Sequence, residues 1–416
     1  MLTIYRLAIN IIIFFSPIII LIRVLKKKED LTRWREKFSI FTKKRTKGKL
    51  IWFHGASVGE ILSVIPLIKK LENNNKIKQI LITSNTVTSA KVLNKIKLKK
   101  TIHQFFPIDT NYHSKKFLNY WKPSIAIFID SEIWPNMFLN IKKTKITLAL
   151  LNGRITKKTF TRWKKIISSA KYLFGKFDIC LSASIKSKKY LKSLGAKNIK
   201  YIGNLKFTQI EKEEIHLTDE LKKKISSKKV WCASSTHKGE EILCAKVHKK
   251  LKGKHKNLLT IMIPRHVERT KDILKDLSKL KLNVHLHSSK QKINSNTDIY
   301  LVDAYGMTKS FFKICNTIFL GGSIIEHGGQ NPIEPSRYGC KVLHGKNIWN
   351  FSEIYSLLKK NNVSIKVNNV NQMCKEINSI FSQKLNVNHI KSKIDTLGNK
   401  ILHSTLSEIN YYINKK

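Results

Sequence analysis

Ser57 and Glu60 stand three residues apart in His54-Gly55-Ala56-Ser57-Val58-Gly59-Glu60, directly after the apolar run Leu50 to His54. A Ser-x-x-Glu box at the start of a helix satisfies backbone N–H groups that otherwise lack partners in the first turn. The same carboxylate, held at a helix N-terminus whose dipole keeps it ionised, is also placed to take a proton from an incoming hydroxyl. Glu60 is therefore the candidate general base. A second group of residues, at 321 to 335, reads Gly-Gly-Ser-Ile-Ile-Glu-His-Gly-Gly-Gln-Asn-Pro-Ile-Glu-Pro and follows the apolar run Asn316 to Leu320. Here Asn331 suits a helix N-cap, Pro332 the first helical position and Glu334 the third. Gly321, Gly322, Gly328 and Gly329 let backbone N–H groups come close to a phosphate. A strand that empties into such a turn can hold a nucleotide; the plainer alternative is a capped helix behind a flexible loop.

Shorter segments add single polar groups. Asp130-Ser131-Glu132-Ile133-Trp134-Pro135-Asn136 places two carboxylates at alternate positions after an apolar run, able to orient hydroxyls or to cap the helix that Pro135 begins. Pro264-Arg265-His266 offers a guanidinium fork suited to phosphate. Asn152-Gly153-Arg154, Gly203-Asn204-Leu205-Lys206 and Ser234-Ser235-Thr236-His237 are small-residue turns, each with a polar or cationic group. No Gly-x-Gly-x-x-Gly fingerprint, Walker A lysine, zinc-protease helix or nucleophile elbow is present, which removes support for hydride transfer and ATP hydrolysis.

These residues need strands to hold them. Apolar runs at Leu50–His54, Gln79–Thr83, Ile102–Phe106, Ile125–Ile129 and Ile146–Leu151 alternate with longer helical stretches. After a charged stretch near Glu211 to Lys229 the rhythm restarts at Val230–Ala233, Leu258–Ile263, Val284–His287, Ile299–Val302, Thr317–Leu320 and Lys341–Leu343. That is the pattern of two parallel sheets covered by helices, and it predicts an α/β protein of two doubly wound, Rossmann-like lobes facing a cleft. Every motif above falls at a strand's carboxyl end. The expected division is 1–25, 26–208, 209–385 and a helical 386–416 that packs back across the lobes.

The first segment is nearly all apolar from Leu7 to Ile22 and is followed by Arg23, Lys26, Lys27 and Lys28. A cleavage site is missing, so it reads as an uncleaved membrane anchor with the rest of the chain on the cytoplasmic side. Its roughly 16 to 19 residues are marginal for spanning ~30 Å of hydrocarbon. Lys and Arg number 79 against 27 acidic residues, giving a net charge of +52, which permits anionic lipid as a partner. Only ten of the 79 are Arg and no nucleic-acid-reading motif is present, so nucleic acid is not expected. The six cysteines form no Cys-x-x-Cys pair and read as buried thiols of a reducing compartment.

Taken in order, Trp52 to Glu60, Glu132 to Asn136, Asn152 to Arg154, Gly203 to Lys206, Ser235 to His237, Pro264 to His266 and Gly328 to Glu334 resemble the 3-deoxy-D-manno-octulosonic acid (Kdo) transferase family, with matching spacing from about residue 30 to 385. The resemblance implies a GT-B fold, CMP-Kdo as donor, a lipid A precursor such as lipid IVA as acceptor, inversion at the anomeric carbon, no cofactor and no metal, at the bacterial inner membrane. It assigns Glu60 as base. It places Arg265, His266, Gly321, Gly322, Ser323, Gly329 and Asn331 around the CMP phosphate, and Glu334 on the ribose. Ser57, Glu132, Arg154, Lys206, Ser235 and Thr236 are carried over as sugar or acceptor contacts. The chain departs from the family at Gln330, where His is usual, and at Met307, where Glu is usual. The rival readings are another membrane-associated GT-B enzyme using a UDP-sugar and a non-enzymatic, membrane-tethered polyanion-binding protein.

Overall fold

The computed structural model describes residues 2–209, 217–289, 293–383 and 386–415. Two compact units emerge, Met1–Ile210 together with Gly398–Lys416, and Glu211–Leu397. Residues 210–216, which open the charged stretch taken as the junction, lie outside the described residues.

In the first unit seven strands, β1 (Lys49–His54), β2 (Ile77–Ser84), β3 (Thr101–Phe105), β4 (Ile125–Ile129), β5 (Thr147–Gly153), β6 (Ile179–Ser182) and β7 (Ile199–Tyr201), form one sheet in the order 3-2-1-4-5-6-7. All neighbours are parallel. Helices cover both faces of such a sheet, which is why its central strands are apolar at nearly every position; Leu50, Ile51, Trp52 and Phe53 are all fully buried. Trp52 packs edge-on and tilted against Phe128 and Phe117, with ring centroids 5.2 and 4.8 Å away.

The second unit repeats the plan with β8 (Lys229–Thr236), β9 (Leu258–Pro264), β10 (Val284–Leu286), β11 (Ile299–Leu301), β12 (Thr317–Leu320), β13 (Lys341–His344) and β14 (Ser364–Lys366), ordered 10-11-9-8-12-13-14. These too are parallel throughout. Successive side chains enter opposite cores: Trp231, Ala233, Phe319 and Leu343 one, Cys232, Ile318, Leu320 and Val342 the other. All six cysteines are buried and free. The apolar runs predicted eleven of the fourteen strands among the described residues; β6 was overlooked, and the edge strands β7 and β14 each hold a lysine and show no apolar run.

Each sheet reverses its winding once, between β1 and β4 and between β8 and β12. Chain leaving the carboxyl ends of those strands diverges there and opens a crevice, the usual ligand position in doubly wound folds.

The terminal segments differ from expectation in one respect. A single anchor helix is replaced by two, Leu2–Phe14 and Ser16–Leu25, bent by 59°, and neither is long and apolar enough to cross a membrane. Pro17 sits in the first turn of the second helix, where a missing N–H is tolerated but cannot continue the first helix's ladder. The carboxyl-terminal helix Val387–Asn414 ends within the first unit. There Lys200 pairs with Glu408 at 2.7 Å, and Gly398 lies so close to Phe207 that a Cβ would meet its carbonyl oxygen at 2.4 Å.

Candidate functional site

In the first unit the polar residues gather where β1 and β4 part. Ser57 caps helix Val58–Glu72, its Oγ accepting from Glu60 N at 3.3 Å. The Glu60 carboxylate turns back, accepting from Ala56 N at 2.8 Å and from Ser57 Oγ at 2.8 Å. The capping box is therefore real. The environment goes beyond capping, because burial pushes the Glu60 carboxyl above the usual carboxylate range and Glu132 and Asp130 push it further, against Ser57 and Ala56. The helix dipole, which we expected to hold Glu60 low, is outweighed by burial and by two neighbouring carboxylates.

Asp130 follows β4 in the left-handed region at φ 63°, its N–H bonded to Leu151 O and its carbonyl accepting from Arg154 N. Burial raises its carboxyl while Arg154 and Lys206 draw it down. Lys206 is itself lowered, by burial first, and Asp130 and Glu60 oppose that. Asn152 Oδ1 accepts from Leu205 N at 3.0 Å, locking the Asn152–Arg154 turn to the Gly203–Lys206 turn. Glu132 accepts from Trp134 Nε1 at 3.0 Å and lies 3.6 Å from His54 Nε2. His54 is fully buried, bonded to Thr83 through Nδ1 and kept neutral mainly by burial. The structure thus brings together Ser57, Glu60, Asp130, Glu132, Arg154 and Lys206, all singled out in the sequence, and adds His54.

The second unit's residues meet where β8 and β12 part. Ser235 takes φ 56° in a bulge, and the hydroxyls of Ser234 and Thr236 are buried without a hydrogen-bond partner among the described residues. Arg265 follows β9 with its side chain exposed and its N–H on Thr236 O. His266 pairs with Glu268 at 3.2 Å. His237 lies with its ring 4.2 Å from that of His327 and 5.9 Å from that of His266. Burial, then the neighbouring His and Arg residues, push His237 down to about 4.

The glycine-rich loop departs from expectation. Its N–H groups at Gly322, Ser323 and Ile324 do not face outward; they donate to the carboxylate of fully buried Glu240 at 2.7, 3.1 and 3.0 Å, and His237 N adds a fourth bond at 3.0 Å. Gly321 N and Gly329 N donate to Ser234 O and Gly322 O. Gly321, Gly322, Ser323 and Gly329 therefore shape the loop with their amides already used, those of Gly322 and Ser323 by an acidic side chain 80-odd residues away that fills the nest and those of Gly321 and Gly329 by backbone carbonyls. The cap also slips by one: Pro332 is the N-cap of Ile333–Arg337, and Asn331 Oδ1 reaches forward to Ile333 N at 3.2 Å. Glu334 lies 3.7 Å from Lys309 Nζ. Gln330 Nε2 approaches His237 Nε2 at 3.3 Å. Glu240 was missed from sequence; its one signal was an acidic residue right after Gly239 in another strand–turn–helix exit.

A family model described as 3-Deoxy-D-manno-octulosonic-acid transferase (kdotransferase) matches residues 32–209. The 3-deoxy-D-manno-octulosonic acid transferase of Rickettsia bellii (strain RML369-C) is 32% identical over 355 residues, covering 84% of this chain and 84% of the relative. That of Haemophilus influenzae (strain ATCC 51907 / DSM 11121 / KW20 / Rd) is 29% identical over 328 residues, covering 76% and 75%. Among solved structures, a glycosyltransferase from Rickettsia africae ESF-5 matches with a TM-score of 0.56 at 14% identity, over 89% of this chain and 99% of that one. UDP-GlcNAc 2-epimerase from Neisseria meningitidis matches with a TM-score of 0.57 at 13% identity, over 88% and 100%. The fold is that of GT-B glycosyltransferases.

Proposed function

The chain belongs to the 3-deoxy-D-manno-octulosonic acid transferase family and is a glycosyltransferase of lipopolysaccharide biosynthesis, and from that premise we propose that it moves Kdo from CMP-Kdo to a lipid A precursor in one inverting displacement. Glu60 takes the proton of the acceptor hydroxyl as its oxygen forms the new bond to the anomeric carbon, and the bond from that carbon to the CMP phosphate breaks. The observation that carries this reading is the Glu60 cluster. A carboxylate with raised proton affinity is a stronger base than a solvated one, and it stands beside Glu132, which can orient a hydroxyl. Arg154 and Lys206 supply positive charge for the Kdo carboxylate while balancing Asp130.

In the second unit Arg265 and His266 meet the departing phosphate, with Ser235 and Thr236 as hydroxyl partners and Glu334 on the ribose. Since Glu240 already fills the glycine loop's nest, the loop acts as a rigid wall and the exposed Arg265 fork carries the phosphate contact. The scheme uses no metal.

The enzyme reaches its lipid at the inner membrane's cytoplasmic face. Ile4, Leu7, Ile11, Phe14, Ile18, Leu21 and Leu25, spaced alternately three and four apart, are all more than half exposed. Such a stripe on a bent helix pair suits lying in the interface more than crossing it, and the +52 charge adds attraction to anionic headgroups. Purified protein incubated with CMP-Kdo and lipid A precursor, with products weighed by mass spectrometry, tests the reading. Kdo addition is expected; transfer from a UDP-sugar in its place would overturn it.

A further inference from the structure

The amino-terminal helix pair is joined to the catalytic unit by more than apolar packing. Tyr5 OH donates to Asp109 Oδ2 at 2.8 Å, and Arg6 Nε donates to Asn136 Oδ1 at 2.9 Å. Asp109 is fully buried, as is Asn136. The Asp109 carboxylate also accepts from Asn136 N at 3.0 Å and Met137 N at 2.7 Å, while Asn136 Nδ2 donates to Asp109 O at 2.6 Å.

The place of those bonds matters. Helix Pro135–Lys142 has Trp134 at its N-cap, and Trp134 provides no side-chain capping bond. The free N–H groups of a first turn are costly when buried, so a remote carboxylate must serve them, and Asp109 is that cap. Trp134 itself bonds Glu132, and its ring packs 4.9 Å from Phe106 and 5.8 Å from His54. Among the described residues, two of the three groups that hydrogen-bond the Asp109 carboxylate therefore belong to the helix whose entry fixes Glu132, and the third is Tyr5 of the helix pair.

We propose that Tyr5 and Asp109 are positioning residues, forming a clasp through which the seating of the amino-terminal helices sets the geometry of Glu132 and Trp134 on the acceptor side. This rests on the Kdo-transfer reading for its kinetic consequence and on the hydrogen bonds alone for its structural one. When the clasp is closed, Asp109 holds the first turn of Pro135–Lys142 and Glu132 stays beside His54. When Tyr5 is withdrawn, the carboxylate loses a donor inside a buried site and the turn it caps loosens.

The experiment uses full-length protein on vesicles of phosphatidylethanolamine and phosphatidylglycerol, as wild type, Tyr5→Phe, Asp109→Asn and the exposed control Tyr112→Phe. Hydrogen exchange over 130–137 without substrate is read beside vesicle co-sedimentation, then kcat and KM for each substrate. Tyr5→Phe is expected to sediment like wild type, exchange faster over 130–137 and lose on the order of tenfold in kcat/KM for the lipid acceptor, with donor KM within about twofold. Asp109→Asn is expected to show a larger loss of the same kind; should it not fold, Tyr5→Phe decides. Unchanged exchange in Tyr5→Phe, or lost sedimentation with unchanged exchange, would overturn the clasp. If wild type transfers no Kdo, the transfer reading fails while the exchange result still judges the clasp.

Discussion

Replacing Glu60 by Gln separates capping from catalysis. Gln keeps an oxygen to accept from Ala56 N, and its amide can donate to Ser57 Oγ in place of the bond Ser57 now makes, so both helix-start contacts survive. Loss of the charge weakens them by about 1 kcal/mol. The same change removes repulsion from Glu132 and Asp130, so the net effect on stability stays within about 1 kcal/mol. Turnover has no such compensation. An amide accepts no proton in the transition state, and losing a general base lowers the rate by about 10²- to 10⁴-fold, a barrier increase of roughly 3 to 5 kcal/mol. Initial rates of Kdo transfer, measured beside a thermal melt, give both numbers. A variant that melts like wild type and keeps more than about a tenth of its turnover would refute Glu60 as base.

Four further outcomes follow from the same geometry. Because Glu60 must be ionised to act and its carboxyl is raised, wild-type activity should fall on the acid side at a pH above the usual carboxylate range. Glu132→Gln removes one cause of the rise and should move that limb to lower pH in a pH–rate profile; a limb that stays put would count against the coupling. Glu240→Gln leaves an amide group facing N–H donors that now share four bonds to a carboxylate, so denaturant unfolding should show a loss of about 2 to 4 kcal/mol, with a raised KM for donor. Gly321→Ala drives a Cβ to 2.3 Å from Ser235 O and 2.6 Å from Thr236 Cα, both backbone, and should cost about 1 to 3 kcal/mol by the same assay. Removal of residues 1–25 should release the protein from anionic vesicles only in part at low salt. Raising ionic strength toward 1 M, where the Debye length falls to about 3 Å, should release the rest; full release at low salt would exclude a role for the basic surface.

Local patterns on the chain were enough for the sheet rhythm and the motif positions. Runs such as Ile125 to Ile129 are apolar at successive residues because both sheet faces are covered, and that signature needs no partner to be seen. The Ser57–Glu60 box was legible for a similar reason, since residues three apart in a helix start meet whatever surrounds them. Six cysteines without metal spacing, five of them in or beside apolar runs, foretold buried thiols. What those groups do was not local. Proton affinity at Glu60 depends on burial and on Glu132 and Asp130, both some 70 residues away, and no spacing rule encodes that distance. The glycine loop carried the composition of a phosphate cradle, yet Glu240 occupies its amides because β8 and β12 lie side by side. Likewise the apolar start of the chain read as one anchor helix, while Pro17 broke it and Tyr5 found Asp109 across 104 residues. Sequence determined which groups stand at strand ends; tertiary structure decided their partners and charge, because electrostatic and hydrogen-bond energies depend on distance and burial in space.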